Sequence, residues 1–283
     1  MELLQTPSRL QAIGIIAEKE LKDSIRNRWL IVIFGLFSLM TLSVSFTGSV
    51  VTGSVAIPPL NSVITSLSTL AVFVIPLAAI MLSYDAFVGE QESGTMLLLM
   101  SLPIERIDIL FGKLLTHAGL LVAAISFSFG TCASLLMLFT DSYQFQATVI
   151  AFGGLIFSSA TLAITYVLFS YFASLMFAEK ARVIAALLSL WFVFVMLFDL
   201  LLLTLLVADL GENIQFLVNV LVLINPTDVF RAINLMFVEQ GIGAFHGISL
   251  LSWPVELMML IACAWPMLLI LLLDKRINHH VVG

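Results

Sequence analysis

The sequence contains no charged residue between Arg28 and Asp85, and most of that stretch is apolar. A membrane-spanning helix needs about 20 consecutive apolar residues, so the stretch is long enough for two such helices. Over the whole chain, 61% of the residues are hydrophobic and 11% are charged, which is far outside the range of soluble globular proteins. A chain surrounded by lipid must satisfy its backbone hydrogen bonds internally. The sequence therefore predicts an all-α, polytopic integral membrane protein.

Six apolar runs predict six transmembrane helices in a single domain that covers residues 1–283. These spans are expected at residues 30–50, 62–83, 109–139, 146–177, 183–207 and 255–273. An amphipathic elbow helix is expected at residues 10–28, in the headgroup plane, with Ile13, Ala17, Leu21 and Ile25 on its apolar side. Gly153 and Gly154 would permit a close helix contact in the fourth span.

The largest region outside the predicted spans is 209–254. Within it, residues 214–224 are apolar but too few to cross a bilayer, which predicts an interfacial or re-entrant segment. Asn225 and Pro226 then supply a cap and a first helical position. The helix that follows is predicted to be an amphipathic helix on the outer surface.

The distribution of basic residues predicts the topology. With six spans, a single basic residue, Arg231, falls on one side. The others fall on the opposite side: Arg9, Lys19, Lys22, Arg26, Arg28, Arg106, Lys113, Lys180, Arg182, Lys275 and Arg276. The positive-inside rule then places both termini in the cytoplasm and residues 209–254 outside.

The polar segment at residues 84–108 interrupts the apolar pattern with five carboxylates. Gly94 and Thr95 predict a helix break and a cap, and the apolar run at 96–100 is too short to cross a bilayer. Ser101 and Pro103 predict the start of the next helix. The segment is therefore expected to be a short element parallel to the membrane, acidic on one side and apolar on the other.

A motif in this segment resembles the cytoplasmic coupling region of ABC-2 type permeases. It consists of Glu92-Ser93-Gly94-Thr95, the apolar run, Leu102-Pro103-Ile104, Arg106 and Gly112-Lys113. The resemblance implies that the segment docks against a separate ATP-binding subunit. The residues expected at that contact are Glu90, Glu92, Gly94, Thr95 and Arg106. Gly112-Lys113 lacks the other residues of a P-loop, which predicts that the ATPase is a partner chain and that this chain is not an enzyme.

A single six-helix unit has no symmetric second half, so we expect a homodimer that works with two copies of the ATP-binding subunit. The stretches 19–29 and 225–231 resemble, more narrowly, the ABC-2 permeases that serve maturation of nitrous oxide reductase, a copper enzyme. This implies a bacterial inner membrane location and a periplasmic partner protein, with Asp228, Phe230 and Arg231 at the contact. The cargo stays open: a sulfur species, copper or none.

The sequence is also compatible with two alternative functions. A general ABC-2 exporter of lipid, glycan, peptide or drug would share the coupling region. A membrane protein outside the ABC class would be a scaffold, or an intramembrane enzyme that uses Asp199. No basic patch with interleaved aromatic residues predicts nucleic-acid binding.

No cofactor, catalytic residue or metal site is predicted from the sequence. Met259, Cys263 and Met267 recur every four residues in the sixth span, and such soft ligands suit Cu(I), although they are also ordinary span residues. His117 is expected to be solvated or bonded within its own helix.

Overall fold

A computed structural model describes residues 8–52, 58–101, 103–140, 143–207, 213–242 and 253–279. The predictions made for Leu102 and for parts of the region 209–254 concern residues outside these ranges. The described residues form helices and connecting turns, with no β-strand among them. The helices are α1 (Arg9–Arg26), α2 (Trp29–Thr52), α3 (Leu60–Ser83), α4 (Val88–Glu92), α5 (Met96–Met100), α6 (Arg106–Phe139), α7 (Phe145–Met176), α8 (Lys180–Phe192), α9 (Phe198–Val207), α10 (Asn213–Ile224), α11 (Pro226–Ile242) and α12 (Val255–His279).

Helices cover all six of the predicted apolar runs. Among the described residues, five helical stretches are long and apolar enough to cross a membrane, and two bent helix pairs raise the possible total to seven. One bent pair is α1 with α2, whose axes differ by 71°. The other is α10 with α11, which are bent by 112° at Asn225. Six spans, as predicted, lie within this range of five to seven.

The central helix of the bundle is α7, which packs against α3, α6, α11 and α12. Its residues Tyr166 and Tyr171 are fully buried. Small residues allow close packing along it: a Cβ built on Gly154 would lie 2.5 Å from the ring of Phe237 on α11. The close helix contact predicted at Gly153 and Gly154 therefore occurs at Gly154, since Gly153 has nothing within 4 Å of its Cβ position.

The fifth apolar run forms two α-helices joined by a π-helical turn. The turn covers Val193–Leu197 and lies between α8 and α9. Most of this helix is not covered by the rest of the chain. In a membrane protein, such an apolar surface faces lipid or another protein.

The structure corrects the prediction that the helix after Asn225 lies on the outer surface. This helix, α11, packs between α3, α7 and α12. Its polar side is buried as well, because its polar side chains find partners on α7: the Asn234 amide donates to Ser158 Oγ over 3.0 Å, and the hydroxyls of Thr227 and Tyr166 are 3.1 Å apart. The amphipathic pattern was present, but its polar face, apart from the partly exposed Arg231, meets polar residues of the core and not water.

One local prediction also needs correction. The helix expected to start at Ser101 or Pro103 starts at Arg106, preceded by Glu105 in extended conformation. The buried side of α1 comprises Ala12, Ile16, Glu20 and Ser24. The predicted apolar stripe lies beside it, with Ile25 54% exposed, where it can face the bilayer.

Replacing Gly154 with Ala should destabilise the packing of α7 against α11. The new methyl group would overlap the Phe237 ring, and overpacking of this kind costs about 1–3 kcal/mol. A thermal-stability assay in detergent should show a lower Tm. Gly153→Ala is the matched control, expected to keep or slightly raise Tm because it gains helix propensity without a clash. Equal Tm values for Gly154→Ala and Gly153→Ala would contradict the close contact between Gly154 and Phe237.

Candidate functional site

The 84–108 segment is built from two short helices at one end of the bundle. The break between α4 and α5 lies at Gly94, whose φ of +71° is readily adopted by glycine. A Cβ at Gly94 would meet nothing within 4 Å, so the backbone conformation and not space favours glycine here. Thr95 follows as the residue before α5, but its side chain makes no cap hydrogen bond. Instead, Thr95 Oγ1 donates to the carbonyl oxygen of Glu90 over 3.4 Å.

The start of α4 is attached to α7. The backbone N–H groups of Phe87 and Val88 donate to Ser174 Oγ over 3.1 and 2.8 Å. The first N–H groups of a helix have no partner within the helix. A buried side chain of α7 therefore supplies the acceptor for the start of this helix.

A buried lysine connects α4 to α1 and α6. Lys113 Nζ donates to Glu20 Oε1 over 2.6 Å and to Glu90 Oε1 over 3.0 Å, and the Lys113 side chain is 2% exposed. Lys19 Nζ reaches the same Glu90 oxygen over 3.0 Å. We call these four residues, Lys19, Glu20, Glu90 and Lys113, the ion quartet. It contains two positive and two negative groups, so it is balanced in charge.

The ion quartet is stable because its charges compensate one another. Burial alone would raise the pKa of Glu20, but the charge and hydrogen bond of Lys113 outweigh it and lower that pKa below its usual value. Lys113 also lies 5.6 Å from the centre of the Phe87 ring. Close packing brings α1 to Lys113: a Cβ on Gly112 would lie 2.7 Å from Ile16. Thr116 Oγ1 donates to the carbonyl oxygen of Ala17 over 2.8 Å, which fixes the same contact.

His117 extends this network towards α7. Its Nδ1 is 2.8 Å from the Tyr171 hydroxyl, and its Nε2 is 3.9 Å from Glu20 Oε2. His117 is 4% exposed. The expectation that it is solvated or bonded within its own helix is therefore wrong.

The 84–108 segment also contacts α8 and α12. Glu92 Oε1 accepts the backbone N–H of Lys180 over 2.9 Å, at the first residue of α8. Arg106 donates to the carbonyl oxygen of Ile277 over 3.1 Å, near the end of α12. A cleft of ≈ 230 Å³ lies beside the ion quartet, lined also by Trp29, Asp85 and Lys180.

The structure places the five predicted contact residues in two groups. Glu90 points inward, with 13% of its side chain exposed, and Arg106 is partly buried against α12. Gly94 and Thr95 are exposed, and Glu92 is 40% exposed. The exposed surface beside them is apolar, with Leu97 81% and Leu98 69% exposed.

The residues predicted to contact a periplasmic partner, Asp228, Phe230 and Arg231, lie together on α11. The Arg231 guanidinium contacts Asp199 on α9 and is 3.3 Å from Asp228 Oδ1. Asp228 is 3% and Phe230 2% exposed, so both are packed inside this chain and are not available to a partner. The expected contact is corrected in this respect; Arg231, with 23% of its side chain exposed, is the accessible member.

The described part of the chain contains no group of three His, Cys, Asp or Glu residues arranged to hold a metal ion. The stripe of Met259, Cys263 and Met267 runs along α12, and Met267 is 67% exposed.

The ion quartet was missed by the sequence analysis because its members are distant in sequence, with Glu20 and Lys113 93 residues apart. A signal was present, however. Lys113 lies inside the predicted third span, where a lysine is costly unless it is paired.

Comparison with known proteins adds independent information. The family described as ABC-2 family transporter protein matches residues 15–273. A curated protein of Stutzerimonas stutzeri, "Probable ABC transporter permease protein NosY", is 38% identical over 253 residues, which cover 88% of this chain and 92% of that protein. A protein of the same name from Pseudomonas aeruginosa is 38% identical over 226 residues, covering 80% of this chain and 82% of that protein.

Replacing Lys113 with Met should destabilise the protein strongly. The change leaves the buried carboxylates of Glu20 and Glu90 with the half-exposed Lys19 in place of their buried cation, and breaking a buried pair costs about 3–5 kcal/mol. Thermal denaturation in detergent should show a large fall in Tm. The control Lys22→Met breaks an exposed pair with Glu18, and should change Tm little.

A variant without the charges of Glu20, Glu90 and Lys113 distinguishes the cost of unpaired charges from the cost of lost packing. The triple variant Glu20→Gln, Glu90→Gln and Lys113→Met should recover much of the Tm that Lys113→Met loses, since no carboxylate is then left unpaired. If Lys113→Met lowered Tm no more than Lys22→Met does, the ion quartet would not stabilise the fold.

Proposed function

This chain belongs to the ABC-2 family and is a multi-pass permease of an ABC transporter, and from this premise we propose that its 84–108 segment receives force from a separate ATP-binding subunit. The segment contacts the helices that surround it through buried groups. A displacement at its exposed surface would therefore be passed to the membrane bundle. The sequence contains no P-loop pattern, in agreement with an ATPase on a partner chain.

The observation that carries this proposal is the position of Glu90. It lies on α4, yet it shares Lys113 with Glu20 of α1, and Lys113 is on α6. Ser174 attaches the start of the same short helix to α7, and Glu92 attaches its end to α8. Four long elements are thus connected to a helix of five residues.

The exposed part of the segment fits a protein partner. Leu97 and Leu98 project from α5, beside Gly94 and Thr95. Apolar side chains beside partly exposed carboxylates are a usual composition for a protein interface. We propose that this surface binds the ATP-binding subunit, whereas Glu90 and Arg106 connect the surface to the bundle.

The names of the similar proteins support a more specific assignment. We propose that this chain acts with a NosF-like ATP-binding subunit, in two copies, and with a NosD-like periplasmic protein. It would do so as a homodimer in a bacterial inner membrane, with six spans and both termini in the cytoplasm. The complex would couple ATP hydrolysis to transport, or to force transmission, for copper-site assembly of nitrous oxide reductase. Arg231 is the residue proposed to face the periplasmic partner.

Replacing Leu97 with Asp should weaken binding of the ATP-binding subunit. The variant places a charge in the proposed apolar contact, and it should fold normally because Leu97 is 81% exposed. Purification of the tagged chain in mild detergent should recover several-fold less ATP-binding subunit. Leu10→Asp is the matched control, since Leu10 is 82% exposed but lies on α1. Equal recovery of the subunit with Leu97→Asp and with the unchanged chain would refute the proposed surface.

Changes at Gly94 test the backbone turn. Gly94→Val should lower transport-coupled ATP hydrolysis without preventing membrane insertion, because a β-branched residue at positive φ costs about 1–2 kcal/mol and would reorient α5. Gly94→Asn should retain most of the coupling, since Asn tolerates this conformation. ATPase assays of the reconstituted complex make the comparison; equal loss in both variants would show that the conformation of Gly94 is not what matters.

A further inference from the structure

The π-helical turn at Val193–Leu197 is braced from outside by the bent pair α10–α11. Asn225, at the bend, donates through Nδ2 to the carbonyl oxygen of Phe194 over 2.7 Å. A π-helical turn pairs a carbonyl group with the N–H five residues further on instead of four, so the hydrogen-bond register of the helix changes there. The Asn225 amide thus binds a carbonyl group inside the irregular turn.

A second contact holds the helix beyond the turn. Arg231 of α11 pairs with Asp199, which lies two residues after the turn ends. Asp228 joins the two contacts, because Asn225 Nδ2 is 2.7 Å from Asp228 Oδ2 and Arg231 is 3.3 Å from Asp228 Oδ1. Asn225 is itself fixed by accepting the backbone N–H of Thr227 through Oδ1 over 3.0 Å.

The arrangement has consequences for the outer half of the fifth span. A π-helical turn contains one residue more than a regular α-helix would place there. If the turn became α-helical, α9 would rotate relative to α8 by one residue, about 100°, and shift by about 1.5 Å along the axis. Asp199 would then leave Arg231. The lightly covered surface of α9 allows such a rotation without rearranging the bundle.

We propose that Asn225, Asp228 and Arg231 form a clamp that holds the fifth span in its π-helical form, and that opening the clamp rotates α9. Asn225 is a positioning residue that holds the π-helical turn. Arg231 holds α9 in its observed orientation through Asp199. Use of the rotation during transport rests on the proposed function. The clamp itself does not.

The test is an oxygen-accessibility scan by spin labelling, which reports which side of α9 faces lipid. Single cysteines at positions 200–205 are labelled in turn, in a background with Cys132→Ala and Cys263→Ser. In the unchanged clamp, the accessibility should peak at the exposed residues Leu200 and Leu203. With Asn225→Leu, the peak should move by about one residue position, or 100°.

Three comparisons make the result decisive. Asn219→Leu is the matched control on α10, because the Asn219 amide oxygen has no partner among the described residues, and it should leave the peak in place. A scan of positions 184–192 should be unchanged in every variant, which shows that the fold is intact. Deletion of Met196 removes the extra residue, so α9 should keep its orientation and Asn225→Leu should then have no further effect.

An unchanged peak in Asn225→Leu, with an intact scan of 184–192, would overturn the clamp. Loss of the pattern throughout 184–205 would also overturn it, because Asn225 would then support the fold and not the turn. The same scan on the complex with its ATP-binding subunit, with and without trapped ATP, tests use of the rotation separately. A shift in Asn225→Leu without any ATP-dependent shift would retain the clamp and remove its role in transport.

Discussion

The cytoplasmic arrangement proposed for this permease depends on one buried ammonium group. Lys113 lies between carboxylates of α1 and α4 while belonging to α6, so a single cation joins three elements that are distant in sequence. A charge in this position is costly unless it is paired, and without Lys113 the two carboxylates would keep only the half-exposed Lys19 as a partner. The elements therefore stabilise one another's positions, and the amphipathic helix, the 84–108 segment and the third span are expected to move together.

A second group of charged residues, Asp199, Asp228 and Arg231, is also held together by pairing of opposite charges. Arg231 joins α9 and α11, and Asn225 donates a hydrogen bond to a carbonyl group of the π-helical turn. Between these groups lies α7, with small residues and hydroxyls that accept close contacts from both: Ser174 towards α4, and Ser158 towards α11. A push on the exposed leucines of α5 would thus reach a helix that touches the proposed clamp. This physical connection supports the assignment of the 84–108 segment as the point where force enters.

Sequence reasoning worked where a local property decides the structure. Apolar length predicted where helices form, and glycine at position 94 predicted the break between α4 and α5. It failed where the partner of a polar group is remote. The polar side of α11 was assigned to water because nothing in the local pattern reveals Ser158 or Tyr166 on α7. Likewise, Glu90 was expected at the surface, since its pairing with Lys113 follows from tertiary packing. Asp199 and Arg231 were placed in separate regions, although both lie on one polar contact.

The most direct test of the central claim is a distance measurement between α1 and α4 through the ATP cycle. Spin labels at the exposed Ile15 and at the partly exposed Gln91 of α4 would report it by pulsed electron paramagnetic resonance in the reconstituted complex. The ion quartet predicts that this distance stays the same with and without trapped ATP, because α1 and the segment move as one body. It also predicts that Lys113→Met broadens the distance distribution. A distance that changes with ATP in the unchanged protein would contradict the account.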